Sequence, residues 1–170
     1  MLTIRLERPT DIPAIRLVNQ LAFEQPQEAD LVDALRDQGA ILLSLVALLD
    51  DQVVGHCLYT PVDIGSAPHA LIGAGLGPVA VLPAFQRQGI GSQLITKVNQ
   101  RLQEAGYPFI VVLGHPTYYP RFGFQPASRF DIRCEWDVPD EAFMIKLLDP
   151  HKMSGVSGLA SYRPEFSDVT

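Results

Sequence analysis

The sequence predicts a single α+β (or α/β) domain built around a mixed sheet, on three observations. The chain has 170 residues, close to the size of one domain. Of these, 47% are hydrophobic, enough for a core that needs neither disulfide nor metal. A strand–helix–strand passage sits at its centre, among segments whose apolar period changes between two and about 3.6 residues.

The elements follow in order. Leu2–Leu6 alternates as a short opening strand. Thr10 or Asp11 then stands as an N-cap before Pro13, with Ile12, Ile15, Val18 and the Leu21/Ala22 pair marking one buried helical face. Gln27–Gln38 is a second helix, apolar at Leu31, Val32 and Leu35 and stopped by Gly39. Ala40–Leu49 and Gln52–Tyr59 read as antiparallel strands joined through an Asp50-Asp51 turn. Leu71–Leu82 is a third apolar run, in which Gly73, Gly75 and Gly77 suggest a bend or bulge, and Pro83 ends it. Gly89–Ala105 is a helix, with Ile90, Leu94, Val98, Leu102 and Ala105 on one stripe and Gly106 as its stop. Phe109–Leu113 is a short buried strand, and residues 114–126 are irregular and aromatic. Two more strands fall around Phe130–Trp136 and Phe143–Leu148. Residues 150–170 form a tail expected to pack on the 1–149 domain through Leu159, Tyr162 and Phe166.

Charge and hydropathy exclude several functions. A formal net charge of −6 argues against a broad nucleic-acid-binding face. The longest apolar stretch, Ala40–Leu49, is half of the roughly 20 residues a membrane span requires. Arg5, Glu7 and Arg8 occupy the place where a secretory signal would become apolar, so a cytoplasmic protein is expected. Cys57 and Cys134 form no CxxC, and His56, His69 and His151 are scattered at no ligand spacing, so no metal is expected.

Two glycine clusters compete as anion sites. Residues 73–78 resemble a dinucleotide fingerprint, but Pro78 stands where its last glycine belongs and the cluster runs into a strand. The second cluster, Gln86-Arg87-Gln88-Gly89-Ile90-Gly91-Ser92, joins a strand to a helix. A helix's first turn presents N–H groups outside its own ladder and about half a positive charge. Gly89 and Gly91 let a pyrophosphate approach those donors, Ser92 adds a hydroxyl and Arg87 a charge. Tight strand–helix packing is the other explanation of the same glycines.

Val79-Ala80-Val81-Leu82-Pro83 followed by Gln86 through Leu94 resembles the acetyl-coenzyme A signature of the GNAT superfamily of N-acetyltransferases. Gln86, Gly89 and Gly91 fill its fixed places. Ile4-Arg5 with Asp11 is similar to the family's opening strand and helix, and Tyr119-Pro120-Arg121-Phe122-Gly123-Phe124 to its late Tyr-x-x-x-Gly-Phe element. The resemblance implies a mostly antiparallel central sheet flanked by helices. It implies acetyl-coenzyme A as cosubstrate, its pyrophosphate on residues 88–92 and its amide arm paired with the backbone of Val79, Ala80 and Val81.

Acetyl transfer requires a free amine, stabilisation of an oxyanion and protonation of the departing thiolate. A backbone N–H near Val79–Val81 suits the oxyanion. The resemblance places the general acid at Tyr119, with Tyr118 as the competing neighbour. A phenol of pKa about 10 protonates a thiolate whose acid lies at about 8.5. The base is left open. Many family members carry a glutamate on the strand before the turn, yet Leu71–Leu82 has no acidic residue. Glu24, Glu28 and His115 are the candidates elsewhere, beside a water relay or an amine that arrives neutral. The acceptor is a small-molecule or peptide amine. Glu24, Glu28, Asp30, Asp63, Asp131, Asp137 and Asp140 suit a cationic amine, or are solvated surface. A homodimer through the late strands is one arrangement common among similar proteins. A non-catalytic acyl-coenzyme A binding module of the same fold is the alternative function, favoured by the missing glutamate and opposed by the Tyr119 element.

Overall fold

Each strand expected from the sequence forms. The computed structural model describes residues 1–65 and 71–168. Its strands are β1 (Leu2–Leu6), β2 (Leu43–Leu49), β3 (Gln52–Ile64), β4 (Leu71–Val81), β5 (Phe109–Leu113), β6 (Gln125–Pro126), β7 (Ile132–Cys134), β8 (Phe143–Leu147) and β9 (Gly158–Ser161). Its α-helices are α1 (Ile12–Phe23), α2 (Gln27–Asp37), α3 (Ile90–Glu104) and the short α4 (Pro150–Met153). The strands join in the order β1-β2-β3-β4-β5-β8-β6, with β9 against β3 and β7. Only β4–β5 and β7–β9 are parallel among the described registers, so the sheet is mixed and mostly antiparallel. Among the described residues, no helix is long and apolar enough to cross a membrane. The chain divides into two compact units.

The first unit holds residues 1–60, 77–98 and the segment from Pro164. Its hairpin turns through Asp50 and Asp51, both left-handed at φ 47° and 67°, which is the backbone a two-residue hairpin needs. Asp11 occupies the N-cap of α1 but makes no side-chain cap, contrary to expectation. Its carboxylate instead accepts the Arg5 guanidinium at 2.7 and 3.1 Å and the Arg8 N–H at 2.7 Å. The Arg5 contact, chiefly, holds the carboxyl below the usual range. α2 stops at Asp37, and Gly39 turns the chain at φ 64°. α3 lies close on β3 because Gly55 has no side chain; a Cβ there would stand 3.2 Å from both Ile90 and Leu94. Ile95, unforeseen on that helix, is fully buried, whereas Ala105 is exposed.

The same unit contains a polar chain that crosses five segments. The Asn19 amide donates to the Ile15 carbonyl at 2.9 Å and lies 3.1 Å from His56 Nδ1. His56 Nε2 is 2.9 Å from Ser44 Oγ, and Ser44 donates to Glu7, which accepts Arg36 at 2.9 Å. Donor order assigns the tautomer: Nδ1 accepts from Asn19, so Nε2 carries the proton and donates to Ser44. Burial, and secondarily Arg36, push His56 down to about 3 from its ordinary 6.5. Asn19, Ser44 and the Glu7–Arg36 pair are what face it, and none of them rewards an imidazolium enough to offset desolvation.

The sign of the pH effect follows. Below about pH 6.5 the unfolded chain takes a proton that the folded chain refuses, so stability is full at neutral pH and falls on acidification. The loss is about 2 kcal/mol at pH 5. Asp11 adds to it only below about pH 4. Thermal melts between pH 7 and 5 are expected to show this slope, and His56→Gln to flatten it; an equal slope in both proteins excludes His56 as its source.

The second unit holds residues 61–76 and 99–163. β4 and β5 run parallel with Ala74 opposite Ile110 and Gly75 opposite Val111. The β4 glycines have a steric reason here. A Cβ on Gly73 would meet the Phe109 ring at 2.5 Å, and one on Gly75 would meet Val62 at 2.4 Å and Tyr162 at 2.9 Å. The late strands are shorter than expected, and a two-residue strand, β6, emerges inside the segment read as irregular. The chain after residue 149 is more than a surface wrap, since β9 pairs with β3 and β7. Tyr162 and, in the first unit, Phe166 are buried as expected; Leu159 is 40% exposed, and Ala160 points inward in its place.

Candidate active site

The strand–turn–helix passage lies in the first unit. At the end of β4, Val79 and Val81 are half-buried and Ala80 buried, the alternation of a strand with one covered face. Leu82 donates to the Val54 carbonyl at 2.8 Å, anchoring the strand's exit on β3. A single 3₁₀ turn, Pro83–Phe85, follows, and Gln86 reaches back with its side-chain amide to the Val81 carbonyl at 2.9 Å. Gln86 therefore braces the turn. Arg87 and Gly89 both adopt left-handed backbone, at φ 62° and 83°. Those two reversals carry the chain from the 3₁₀ turn into α3. The α3 ladder opens with Gln93 N–H donating to Gly89 O at 3.0 Å, so the N–H groups of residues 89–92 precede it. Arg87, Gln88 and Gly89 are exposed, Gly91 and Ser92 half-buried, and Ile90 points into the core. Small residues, an exposed guanidinium and a helix's positive end thus share one turn, which is the composition of an anion cradle.

Tyr119 lies in the second unit. The chain leaves β5 at Gly114, whose N–H is held by the Ala142 carbonyl at 2.9 Å, and folds so that the His115 carbonyl accepts the Tyr118 N–H at 3.1 Å. A 3₁₀ turn, Tyr119–Phe122, follows and closes at Gly123 with φ 92°. Lys146 Nζ ties the Phe122 carbonyl at 2.8 Å. The half-buried Tyr119 ring meets Phe124 edge-on at 5.9 Å and Tyr118 at 5.1 Å. Tyr118 is itself covered by the Arg121 guanidinium 4.7 Å from its ring centroid. The aromatic cluster exists as the sequence suggested, with Tyr119 inside it.

The three base candidates lie on separate segments of the chain. Glu28 sits half-buried in the first turn of α2, where Gln25 donates to both its oxygens at 2.8 and 3.0 Å. Glu24 is exposed and closes α1 in left-handed backbone at φ 56°. Both belong to the first unit. His115 is exposed in the second unit. Of the other histidines, His56 is structural, His151 is exposed and His69 lies outside the described residues. Burial pushes both cysteine thiols up, which suits inert side chains. No motif in the sequence signals the buried Asn19–His56–Ser44–Glu7–Arg36 chain, which is structural.

Residues 41–126 match the family model described as an acetyltransferase (GNAT) domain. The uncharacterized N-acetyltransferase YhbS of Escherichia coli is 38% identical over 165 residues, covering 96% of this chain and 98% of that protein. A crystal structure of the E. coli YhbS protein in complex with coenzyme A superimposes with a TM-score of 0.93, at 37% identity over 99% of this chain and 93% of that one. A GNAT family acetyltransferase from Brucella melitensis, in complex with acetyl-coenzyme A, superimposes with a TM-score of 0.82, at 38% identity over 98% of each chain.

Proposed function

The chain belongs to the GNAT acetyltransferase family, and we propose on that premise that it moves an acetyl group from acetyl-coenzyme A directly to a primary amine. The observation that carries this reading is the turn between β4 and α3, where Gly89 at φ 83° hands an exposed segment bearing Arg87 to a helix N-terminus. Arg87 through Ser92 would take the pyrophosphate, and the backbone of Val79, Ala80 and Val81 the amide arm. The complexes of the E. coli and Brucella relatives with coenzyme A and acetyl-coenzyme A support the choice of carrier.

The carrier supplies an acetyl thioester. A backbone N–H near Val79–Val81 stabilises the negative charge that grows on the acyl oxygen as the amine attacks. The new C–N bond forms, the C–S bond breaks, and the Tyr119 phenol gives its proton to the sulfur. The proton shed by the amine passes to water or to Glu28 or His115; β4 offers no acidic side chain for it. The acceptor is a small-molecule or peptide amine.

Thiol release from acetyl-coenzyme A is the test, measured against a panel of small amines, peptide N-termini and lysine peptides. Release matched by acetylated amine is expected. Coenzyme A binding without turnover across the panel would replace transfer by a binding module.

A further inference from the structure

We propose that Gly114 is a positioning residue for Tyr119, its missing side chain being the seat of the phenol ring. The proposal rests on the reading of Tyr119 as the proton donor. A Cβ built on Gly114 would stand 2.4 Å from Tyr119 Cε2, 3.1 Å from Cδ2 and 3.4 Å from Cζ, the carbon that bears the hydroxyl. The backbone gives no other reason for glycine there, since Gly114 is absent from the positive-φ glycines. Its N–H is held by the Ala142 carbonyl at 2.9 Å. On other sides the ring meets Phe124, only 2% exposed, at 5.9 Å, and Tyr118 at 5.1 Å. Gly123 and the Lys146 contact fix the end of the same turn.

With the Gly114 backbone at its Cε2 edge and the Phe124 and Tyr118 rings beside it, the ring has little room to shift its oxygen. Proton donation depends on where that oxygen lies, because a displacement of about 1 Å costs up to about 10²-fold in rate. A methyl group on Gly114 moves the ring, and hence the hydroxyl.

The experiment is a double-mutant cycle of Gly114→Ala with Tyr119→Phe, read as kcat and KM for acetyl-coenzyme A. Gly114→Ala alone is expected to lower kcat about 10-fold with KM within about twofold. In the Tyr119→Phe background the same change is expected to cost less than about twofold, since no proton donor is left to misplace. Equal losses in the two backgrounds, or a lowered melting temperature with intact kcat, overturn the proposal. Should Gly114→Ala not fold, Phe124→Leu is read through the same cycle with the same criteria. Full turnover by Tyr119→Phe itself removes the donor and the proposal with it. A slow Tyr119→Phe beside a fast Gly114→Ala removes only the positioning role.

Discussion

Tyr119→Phe is expected to slow acetyl transfer by about 10²-fold or more while leaving affinity for coenzyme A almost intact. The substitution removes one oxygen and nothing else. The ring keeps its contacts with Phe124 and Tyr118 and its seat on Gly114. What disappears is the proposed proton donor to the departing thiolate. Binding is spared because the proposed pyrophosphate contacts lie on residues 87–92, which the substitution leaves unchanged. The measurement is kcat at saturating acetyl-coenzyme A beside a calorimetric Kd. Unchanged kcat would take Tyr119 out of the mechanism, and Tyr118→Phe would then be the next variant to measure.

How far the sequence foretold this molecule depends on how local each cause is. Phe109–Leu113 is a strand with the same ends in sequence and structure, because a short apolar run between turns leaves no choice of period. The stripe of Ile90, Leu94, Val98 and Leu102 on α3 is buried as its spacing required, although the helix begins one residue after Gly89, which is left-handed. The tail strand β9 was not legible, since its pairing with β3 and β7 is decided by residues about 100 and 25 positions away.

The buried chain through His56 shows the same limit in finer detail. Counting outward from the Asp50-Asp51 turn pairs Leu49 with Gln52, which would set Ser44 opposite Cys57 and put Ser44 and His56 on opposite faces. The irregularity at Ala47/Leu48 shifts the register by one, so that Ser44 lies opposite Leu58 and shares a face with His56. One extra residue in β3 therefore creates the contact, and no composition or spacing announces it. Asp11 is another instance: its N-cap position was right, yet the Arg5 fork, six residues earlier in the chain, outcompetes the helix for its carboxylate.

Gly89→Val is expected to weaken coenzyme A binding by about 10- to 100-fold, with kcat at saturation within about twofold of the parent. Gly89 stands at φ 83°, and left-handed backbone costs an L residue roughly 1–2 kcal/mol, with a β-branched residue faring worse. Space is not the obstacle, because a Cβ at Gly89 would find nothing within 4 Å. The valine chain therefore either holds the strained turn at a cost in stability, or relaxes φ and turns the N–H groups of residues 89–92 away from a common target. Relaxation loses the oriented donors on which the cradle depends, and a tenfold loss of affinity corresponds to about 1.4 kcal/mol. Gly39→Val separates the two effects. Gly39 has φ 64° and also nothing within 4 Å, so valine there meets the same backbone penalty on a turn that follows α2. It is expected to lower the melting temperature and leave the Kd unchanged. If Gly89→Val folds and binds coenzyme A as tightly as the parent, the pyrophosphate does not lie on this turn. If Gly39→Val weakens binding equally, the loss at Gly89 reports stability and the cradle has no claim to it.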